Sequence, residues 1–230
     1  MTRALAVFLS FGVGLLGGCA QDSRDAAEAR IPMPASLPGV YAGELPCSNC
    51  AAIEATLWLR PDGAFVLRQR LLDDASTPSG AAPSGPSTTY GLGRWSWDEV
   101  SAEVVLRGRG PERRFVVRDE DKLQLRSASA PVLARDAMAP RFVDRLLLDG
   151  ESAVSEAGAT FKECSTGLTF SVVDAGAYRE LRRQHRRMNP RGKVALTTVE
   201  GHLVAAGSGS TTSERLVVDQ FIAIKPGTGC

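Results

Sequence analysis

The chain has 230 residues, 43% of them apolar and 23% charged, so it can bury at least one core and is not a disordered tail. Lys and Arg number 27 against 26 Asp and Glu, and this formal charge of +1 argues against a protein that coats nucleic acid. The 2 His are too few for a multi-histidine metal centre, and 23 Gly with 13 Pro favour a turn-rich β architecture.

Residues 1–18 have the order of an export signal: a basic start at Arg3, an apolar run and a small-residue exit. The apolar run of about 13 residues is too short to span a bilayer as a helix. The quartet that ends at Cys19 resembles the lipobox of bacterial lipoproteins, in which the cysteine sulfur is acylated. We therefore expect a lipid on Cys19. Ala20 and Gln21 follow the cysteine without an Asp, which resembles lipoproteins sorted to the outer membrane, so the anchored protein is expected there, facing the periplasm. A soluble periplasmic protein with a chance cysteine at its cleavage site is the alternative.

Four cysteines remain once Cys19 is set aside, namely Cys47, Cys50, Cys164 and Cys230. An even number of cysteines in an oxidising compartment makes two disulfides the simplest expectation.

Residues 19–36 are small, polar and proline-containing, which predicts a flexible tether. The range 37–126 then alternates apolar and polar residues in short segments, which predicts an antiparallel meander that forms an open or closed barrel. Its segments read VYAGEL, EATLWLR, AFVLRQRL, YGLGRWSW, AEVVLRG, RRFVVRD and KLQLR. Residues 73–87 interrupt this pattern and are interpreted as a loop without an assigned function.

A change in composition over 127–141 predicts a linker to a second unit over 142–230. This unit contains about five strand-like runs and one helix over 176–188, placed between the third and fourth runs. Such an order is compatible with a closed barrel of the OB type. The fold class expected for the chain is therefore mainly β, with two barrels and one helix.

The Cys47-Ser48-Asn49-Cys50 motif lies between the first two predicted strands and has three interpretations. The thiols can close a disulfide, bind a soft cation such as copper, or exchange disulfides, although the last use normally has a βαβ context. A copper site would need further soft or imidazole ligands, for which the chain offers Met33, Met138, Met188, His185 and His202.

The predicted helix and the residues that follow it contain six arginines and one lysine against one glutamate. A solvated helix face is one interpretation, and contact with an anionic surface through Arg182, Arg183, Arg186 and Arg187 is the other. A nucleic-acid partner is not expected outside the cytoplasm. No nucleophile elbow, phosphate-binding glycine loop or zinc-protease motif is found, so an enzyme is not expected.

The chain resembles the NlpE-type copper-resistance and envelope-stress lipoproteins of Gram-negative bacteria. The resemblance rests on the lipobox at Cys19, on the blocks LPGVYAGELPCSNC, AAIEATLWLRPDGAFVL, YGLGRWSW, ATFKECSTGLTFSV and VEGHL, and on the terminal Cys230. It implies a lipocalin-like N-terminal barrel followed by a C-terminal OB domain. It also implies one disulfide between Cys47 and Cys50 and another between Cys164 and Cys230.

In function, the resemblance implies a sensor that reports envelope stress, including copper stress, by contact with the periplasmic domain of a sensor histidine kinase of the Cpx response. Two alternatives stay open from the residues alone. One is a copper-binding or copper-sequestering protein that uses Cys47 and Cys50, and the other is a barrel that carries a lipid or another small ligand.

Overall fold

In the computed structural model, the first eight strands form one closed antiparallel barrel. The structure describes residues 30–48, 50–72, 88–138, 145–188, 194–206 and 214–230. The strands of this first barrel are β1 (Gly39–Leu45), β2 (Ala52–Leu59), β3 (Ala64–Leu72), β4 (Thr88–Asp98), β5 (Glu103–Gly108), β6 (Arg113–Asp119), β7 (Lys122–Leu125) and β8 (Val132–Arg135).

Each strand of the first barrel pairs with the next in sequence, and β8 returns to pair with β1 through Tyr41 with Arg135 and Ala42 with Ala134. This up-and-down order follows from short turns such as 61–63, where Gly63 adopts a φ of 78° and Asp62 Oδ1 accepts a hydrogen bond from Ala64 N at 3.0 Å. The prediction of an N-terminal antiparallel β-barrel is confirmed, and the structure shows that this barrel is closed, which the sequence left open.

The interior of the first barrel is packed with side chains from alternate strand positions, as the period of two requires. Tyr41, Leu57, Phe65 and Phe115 lie in this core, and the buried Tyr41 hydroxyl donates a hydrogen bond to Leu37 O at 2.8 Å. The barrel is therefore largely filled rather than hollow.

Two predicted boundaries of the first unit were wrong. The expected linker over 127–141 contains β8, whose Leu133 is fully buried and whose backbone lies against Gly43, where a Cβ atom would come within 2.6 Å of Val132 O. Part of the expected tether also contacts the barrel, because Ile31 N donates to Glu99 O at 2.7 Å and Ile31 O accepts from Trp97 Nε1 at 2.8 Å.

The remaining strands form a second closed barrel in the order β10-β11-β13-β12-β9. Its elements are β9 (Leu146–Ser155), β10 (Gly158–Glu163), β11 (Thr169–Val172), α1 (Tyr178–Met188), β12 (Ala195–Ala205) and β13 (Glu214–Pro226). The pairing of β11 with β13 is parallel, and the other pairings are antiparallel. The predicted five-stranded OB-type domain, with its helix between the third and fourth strands, is confirmed.

Helix α1 covers the second barrel with one apolar face. Tyr178, Leu181 and His185 recur at intervals of three and four residues, so they lie on the same side of the helix, and all three are buried. Glu180 in the first turn and basic residues in the last turn complement the helix dipole.

The two barrels pack against each other along the outer face of β2, β3 and β4. Val66 points away from the first barrel's core and is only 4% exposed, because it lies in the apolar cluster of the second barrel with Leu146 and Phe170. Trp58 and Leu92 pack against the same cluster. The molecule therefore has a continuous apolar contact between its two barrels.

Within the described ranges, no helix is long and apolar enough to cross a membrane. Several predictions lie outside those ranges: the signal over 1–18, the lipid on Cys19, most of the tether and the loop over 73–87.

Candidate functional site

The structure joins Cys47 to Cys50 in the loop between β1 and β2, with Cα atoms 5.4 Å apart. Both sulfurs are covalently bonded, so neither offers a thiolate to a metal ion. Among the described residues, no group of three or more His, Cys, Asp and Glu could hold a metal. This donor set does not fit copper while the pair is oxidised.

The other candidate copper ligands are distributed over both barrels. Met33 and Met138 are exposed, and Met188 is exposed at the end of α1. His202 Nδ1 lies 2.8 Å from Asp219 Oδ2. His185 is buried beneath α1, its Nε2 lies 3.4 Å from Ser152 O, and burial lowers its pKa while the contact with Ser152 opposes the shift. The two histidines therefore make contacts within the second barrel, and the three methionines are exposed.

The second disulfide joins Cys164, just after β10, to Cys230 at the end of the chain, with Cα atoms 5.3 Å apart. Cys164 N donates a hydrogen bond to Asp149 O at 2.9 Å. Cys230 N donates one to the Glu151 carboxylate at 3.0 Å. The bridge therefore fastens the chain terminus and the turn after β10 to β9.

The turn after β10, residues 163–168, is organised around one buried carboxylate. Glu163 is 3% exposed and accepts hydrogen bonds from Ser165 N (3.0 Å), Thr166 N (2.6 Å) and Thr166 Oγ1 (2.7 Å). Gly167 adopts a φ of 70° that lets the chain reverse. We call residues 163–168 the disulfide turn.

The disulfide turn lies against the first barrel. Arg94 Nη1 of β4 donates to Thr166 O at 3.4 Å, and Leu168 packs in the cluster that also buries Val66. The gap between these parts has a volume of about 20 Å³, enough for about one water molecule. The disulfide turn therefore links the Cys164–Cys230 bridge directly to the contact between the barrels.

Arg60, at the end of β2, is the charged centre of that contact. Its side chain is 8% exposed and lies 2.7 Å from both Asp62 and Glu214, the latter on β13 of the second barrel. The guanidinium also lies 4.9 Å from the centre of the Trp58 ring. Burial alone would lower the pKa of Arg60, but its hydrogen bonds to Asp62 and Glu214 raise it above the usual value.

Sequence reasoning did not identify Arg60 or Glu214, which are 154 residues apart. A single chain shows no periodicity that connects them. The one local signal is a charge at the end of an apolar strand, directly before the turn over 61–63.

The basic helix does not present its arginines as one uniform face. Arg182 is half-buried, with its guanidinium 5.6 Å from the Tyr178 ring, and Arg183 pairs with Glu180. Arg186 and Arg187 are exposed. Of the four arginines for which contact with an anionic surface is expected, Arg183, Arg186 and Arg187 are exposed and Arg182 is half-buried.

Both domains match models of one family. The NlpE N-terminal domain matches residues 41–132, and the NlpE C-terminal OB domain matches residues 147–230. Among curated proteins, Lipoprotein NlpE of Escherichia coli (strain K12) is 29% identical over 196 residues, which cover 81% of this chain and 75% of that protein.

Two solved structures are also similar to this chain. The Cpx pathway activator NlpE from Escherichia coli has 24% identity and a TM-score of 0.34, covering 86% of this chain and 98% of that one. A protein from Shewanella oneidensis has 25% identity and a TM-score of 0.34, covering 44% of this chain and 91% of that one. Because the two domain models together match more than half of its residues, this chain belongs to the NlpE family.

Proposed function

We propose that this protein is a non-enzymatic lipoprotein of the outer membrane that signals envelope stress to a sensor histidine kinase by protein contact. Family membership over both domains supports the signalling role. The observation that carries the proposal is the position of the Cys164–Cys230 bridge, which fastens the disulfide turn where that turn meets the first barrel.

The physical route runs from the state of the disulfide to the contact between barrels. Without the bridge, the last residue is held to Glu151 only by the backbone hydrogen bond of Cys230, and the disulfide turn loses its covalent tie to the chain terminus. A looser disulfide turn weakens the packing around Val66 and Arg94. Failed oxidation would then uncover the outer face of β2, β3 and β4 for a partner.

This route is tested in cells with an envelope-stress reporter. Cys164→Ser and Cys230→Ser are each expected to induce the reporter without added stress, and the double variant is expected to match either single one. The matched control is Cys47→Ser with Cys50→Ser, which removes a disulfide that lies outside the disulfide turn. An uninduced reporter with correctly localised Cys164→Ser protein would contradict the redox input.

Kinase contact is tested by placing a photo-crosslinking residue at Val66, which the second barrel covers in the oxidised protein. We expect a crosslink to the periplasmic domain of the sensor kinase in the Cys164→Ser background and little in the oxidised chain. The same probe at Val116, on the outer face of β6, controls for random encounter. Equal crosslinking at both positions and in both backgrounds would count against the exposed face as the signalling surface.

We further propose that Cys19 carries the lipid and that the exposed arginines of α1 contact an anionic surface. Metabolic labelling with a palmitate analogue should mark the exported chain and should fail with Cys19→Ser. Binding to phosphatidylglycerol vesicles should fall in the double variant Arg186→Gln with Arg187→Gln, whereas phosphatidylcholine vesicles should bind neither form.

Copper resistance is proposed to follow from signalling, because the oxidised Cys47–Cys50 pair offers no thiolate. A Cu(I) competition assay under reducing conditions distinguishes resistance that follows from signalling from resistance by copper sequestration. Tight binding that is lost in Cys47→Ser with Cys50→Ser would favour a copper-sequestering protein instead.

A further inference from the structure

The first barrel has a cavity of about 150 Å³ at the end where β3 finishes and β4 begins. Because its strands run alternately up and down, this is also the end that carries the Cys47–Cys50 loop. The inner wall is apolar, formed by Phe65, Leu67 and Leu106 of the barrel core. Gln69, Thr89 and Arg113 line the same cavity nearer the ends of their strands.

Arg113 is a half-buried cation at this cavity. It faces the same side of β6 as Phe115, two residues further on, which lies in the core. Its Nη2 donates to Gln69 Oε1 at 3.4 Å, and among the described residues no carboxylate forms an ion pair with it. Burial lowers the pKa of Arg113.

The neighbouring arginines differ from Arg113 in this respect. Arg109, which also lines the cavity, pairs with Asp149 of the second barrel, and Arg114 pairs with Asp98, Glu103 and Glu112. A guanidinium removed from water without a counter-ion is unfavourable, and a bound anion relieves that penalty.

We propose that this cavity binds a short-chain carboxylate, with the anion on Arg113 and the alkyl chain against Phe65, Leu67 and Leu106. The planar guanidinium fork matches a carboxylate, and Gln69, whose Oε1 accepts from Arg113, keeps its amide N–H groups to donate to the ligand. Arg113, Gln69 and the apolar wall all belong to the first barrel, so the proposal does not rest on the proposed signalling function.

The size of the cavity sets the length of the ligand. A volume of about 150 Å³ is that of a cavity that accepts benzene, so about five or six carbon atoms fit. Beyond the cavity, Tyr41, Trp95 and Phe115 fill the barrel. A long acyl chain therefore cannot pass into the interior. Of the lipid or other small ligand considered from the sequence, only a small amphiphile fits this barrel.

The ligand class is tested by isothermal titration calorimetry of the full chain in nanodiscs, with empty nanodiscs as the blank. Sodium hexanoate is the probe, hexan-1-ol supplies the chain without the charge, and acetate and inorganic phosphate supply the charge without the chain. Hexanoate is expected to bind at least tenfold more tightly than each of the other three.

Two variants test the assigned residues. Arg113→Gln should weaken hexanoate binding at least tenfold and leave hexan-1-ol binding unchanged, whereas Arg118→Gln, at an exposed position of the same strand, should change neither. Gln69→Glu supplies a carboxylate beside Arg113 and should therefore raise the melting temperature while abolishing hexanoate binding. This second variant keeps the test valid if Arg113→Gln folds poorly.

Three results would overturn the proposal. The first is that hexanoate gives no measurable heat of binding. The second is that hexanoate and phosphate bind with equal affinity. The third is hexanoate binding that survives both Arg113→Gln and Gln69→Glu.

Discussion

Arg60 places a full positive charge between two folded units, with Asp62 on its own side and Glu214 across the contact. Replacing such a buried pair by apolar groups of the same shape can be neutral, but removing one partner leaves the others without a counter-charge. The position of Arg60 therefore makes the contact between the barrels sensitive to a single side chain.

We predict that Arg60→Ala lowers the free energy of unfolding by about 2–3 kcal/mol, less than for a fully buried pair because Asp62 and Glu214 keep some exposure. Urea unfolding followed by tryptophan fluorescence measures it. Arg70→Ala removes an exposed pair with Glu54 and should change stability by less than about 1 kcal/mol. Equal effects of the two substitutions would show that Arg60 is not a central contact.

His185 makes stability depend on pH near neutrality. Burial lowers its pKa in the folded state, so the unfolded chain takes up the proton first, at its usual value of about 6.5. The stability contributed by the neutral ring is complete above that pH and is lost as the pH falls toward the lower folded pKa.

We predict that the free energy of unfolding falls between pH 7.5 and 5.5 and that His185→Leu reduces this fall. Urea titrations at several pH values measure the slope, and His202→Gln serves as the control at a more exposed histidine. A slope that is identical in His185→Leu and the parent chain would assign the pH dependence to another group.

At the scale of elements, the two disulfides close loops of very different length. The Cys164–Cys230 pair is separated by 66 residues and the Cys47–Cys50 pair by 3. In the chain-entropy model, a bridge across the long loop contributes about 4 kcal/mol, and one across the short loop about 2 kcal/mol.

We predict that Cys164→Ser lowers the free energy of unfolding of the second barrel by about 4 kcal/mol, roughly twice the effect of Cys47→Ser on the first. The 3 Trp of the chain, including Trp58 and Trp95, all lie in the first barrel, so fluorescence reports that barrel while far-ultraviolet circular dichroism also reports the second. A larger loss of stability in Cys47→Ser than in Cys164→Ser would show that the long bridge does not stabilise mainly by restricting the denatured state.

Most strands could be predicted because inward and outward positions alternate along them, as in β10 and β12. Strand β8 could not be predicted, because it has four residues in a stretch rich in Ser and Ala. Of these four residues, only Leu133 is buried. Its existence depends on the close approach that Gly43 of β1 allows. That requirement is a tertiary one and leaves no periodic signal along the chain.

At the scale of the whole molecule, the sequence predicted two barrels but not how they meet. Val66 and Trp58 occupy outward positions of strands whose inward positions form a complete core, so the alternation assigns them to solvent. The cysteines of the candidate site were identifiable because thiols are few. The apolar outer face of β2, β3 and β4, which lies against the turn that carries the Cys164–Cys230 bridge, could not be identified from the sequence.

Packing at this outer face can be disrupted without touching either core. We predict that Val66→Asp separates the barrels while both stay folded, because Val66 faces out of its own barrel and is buried only by the second. Small-angle X-ray scattering should show a larger radius of gyration, and the emission of Trp58 should shift to longer wavelength as the ring becomes hydrated.

Val116→Asp places the same charge at another outward position, on β6, and should change neither measurement because Val116 does not belong to the contact cluster. If Val66→Asp leaves the scattering profile unaltered, polar contacts such as that of Arg60 with Glu214 hold the barrels together alone. If it unfolds the first barrel, then that barrel depends on its neighbour for stability, and the redox state of Cys164 would act on folding rather than on docking.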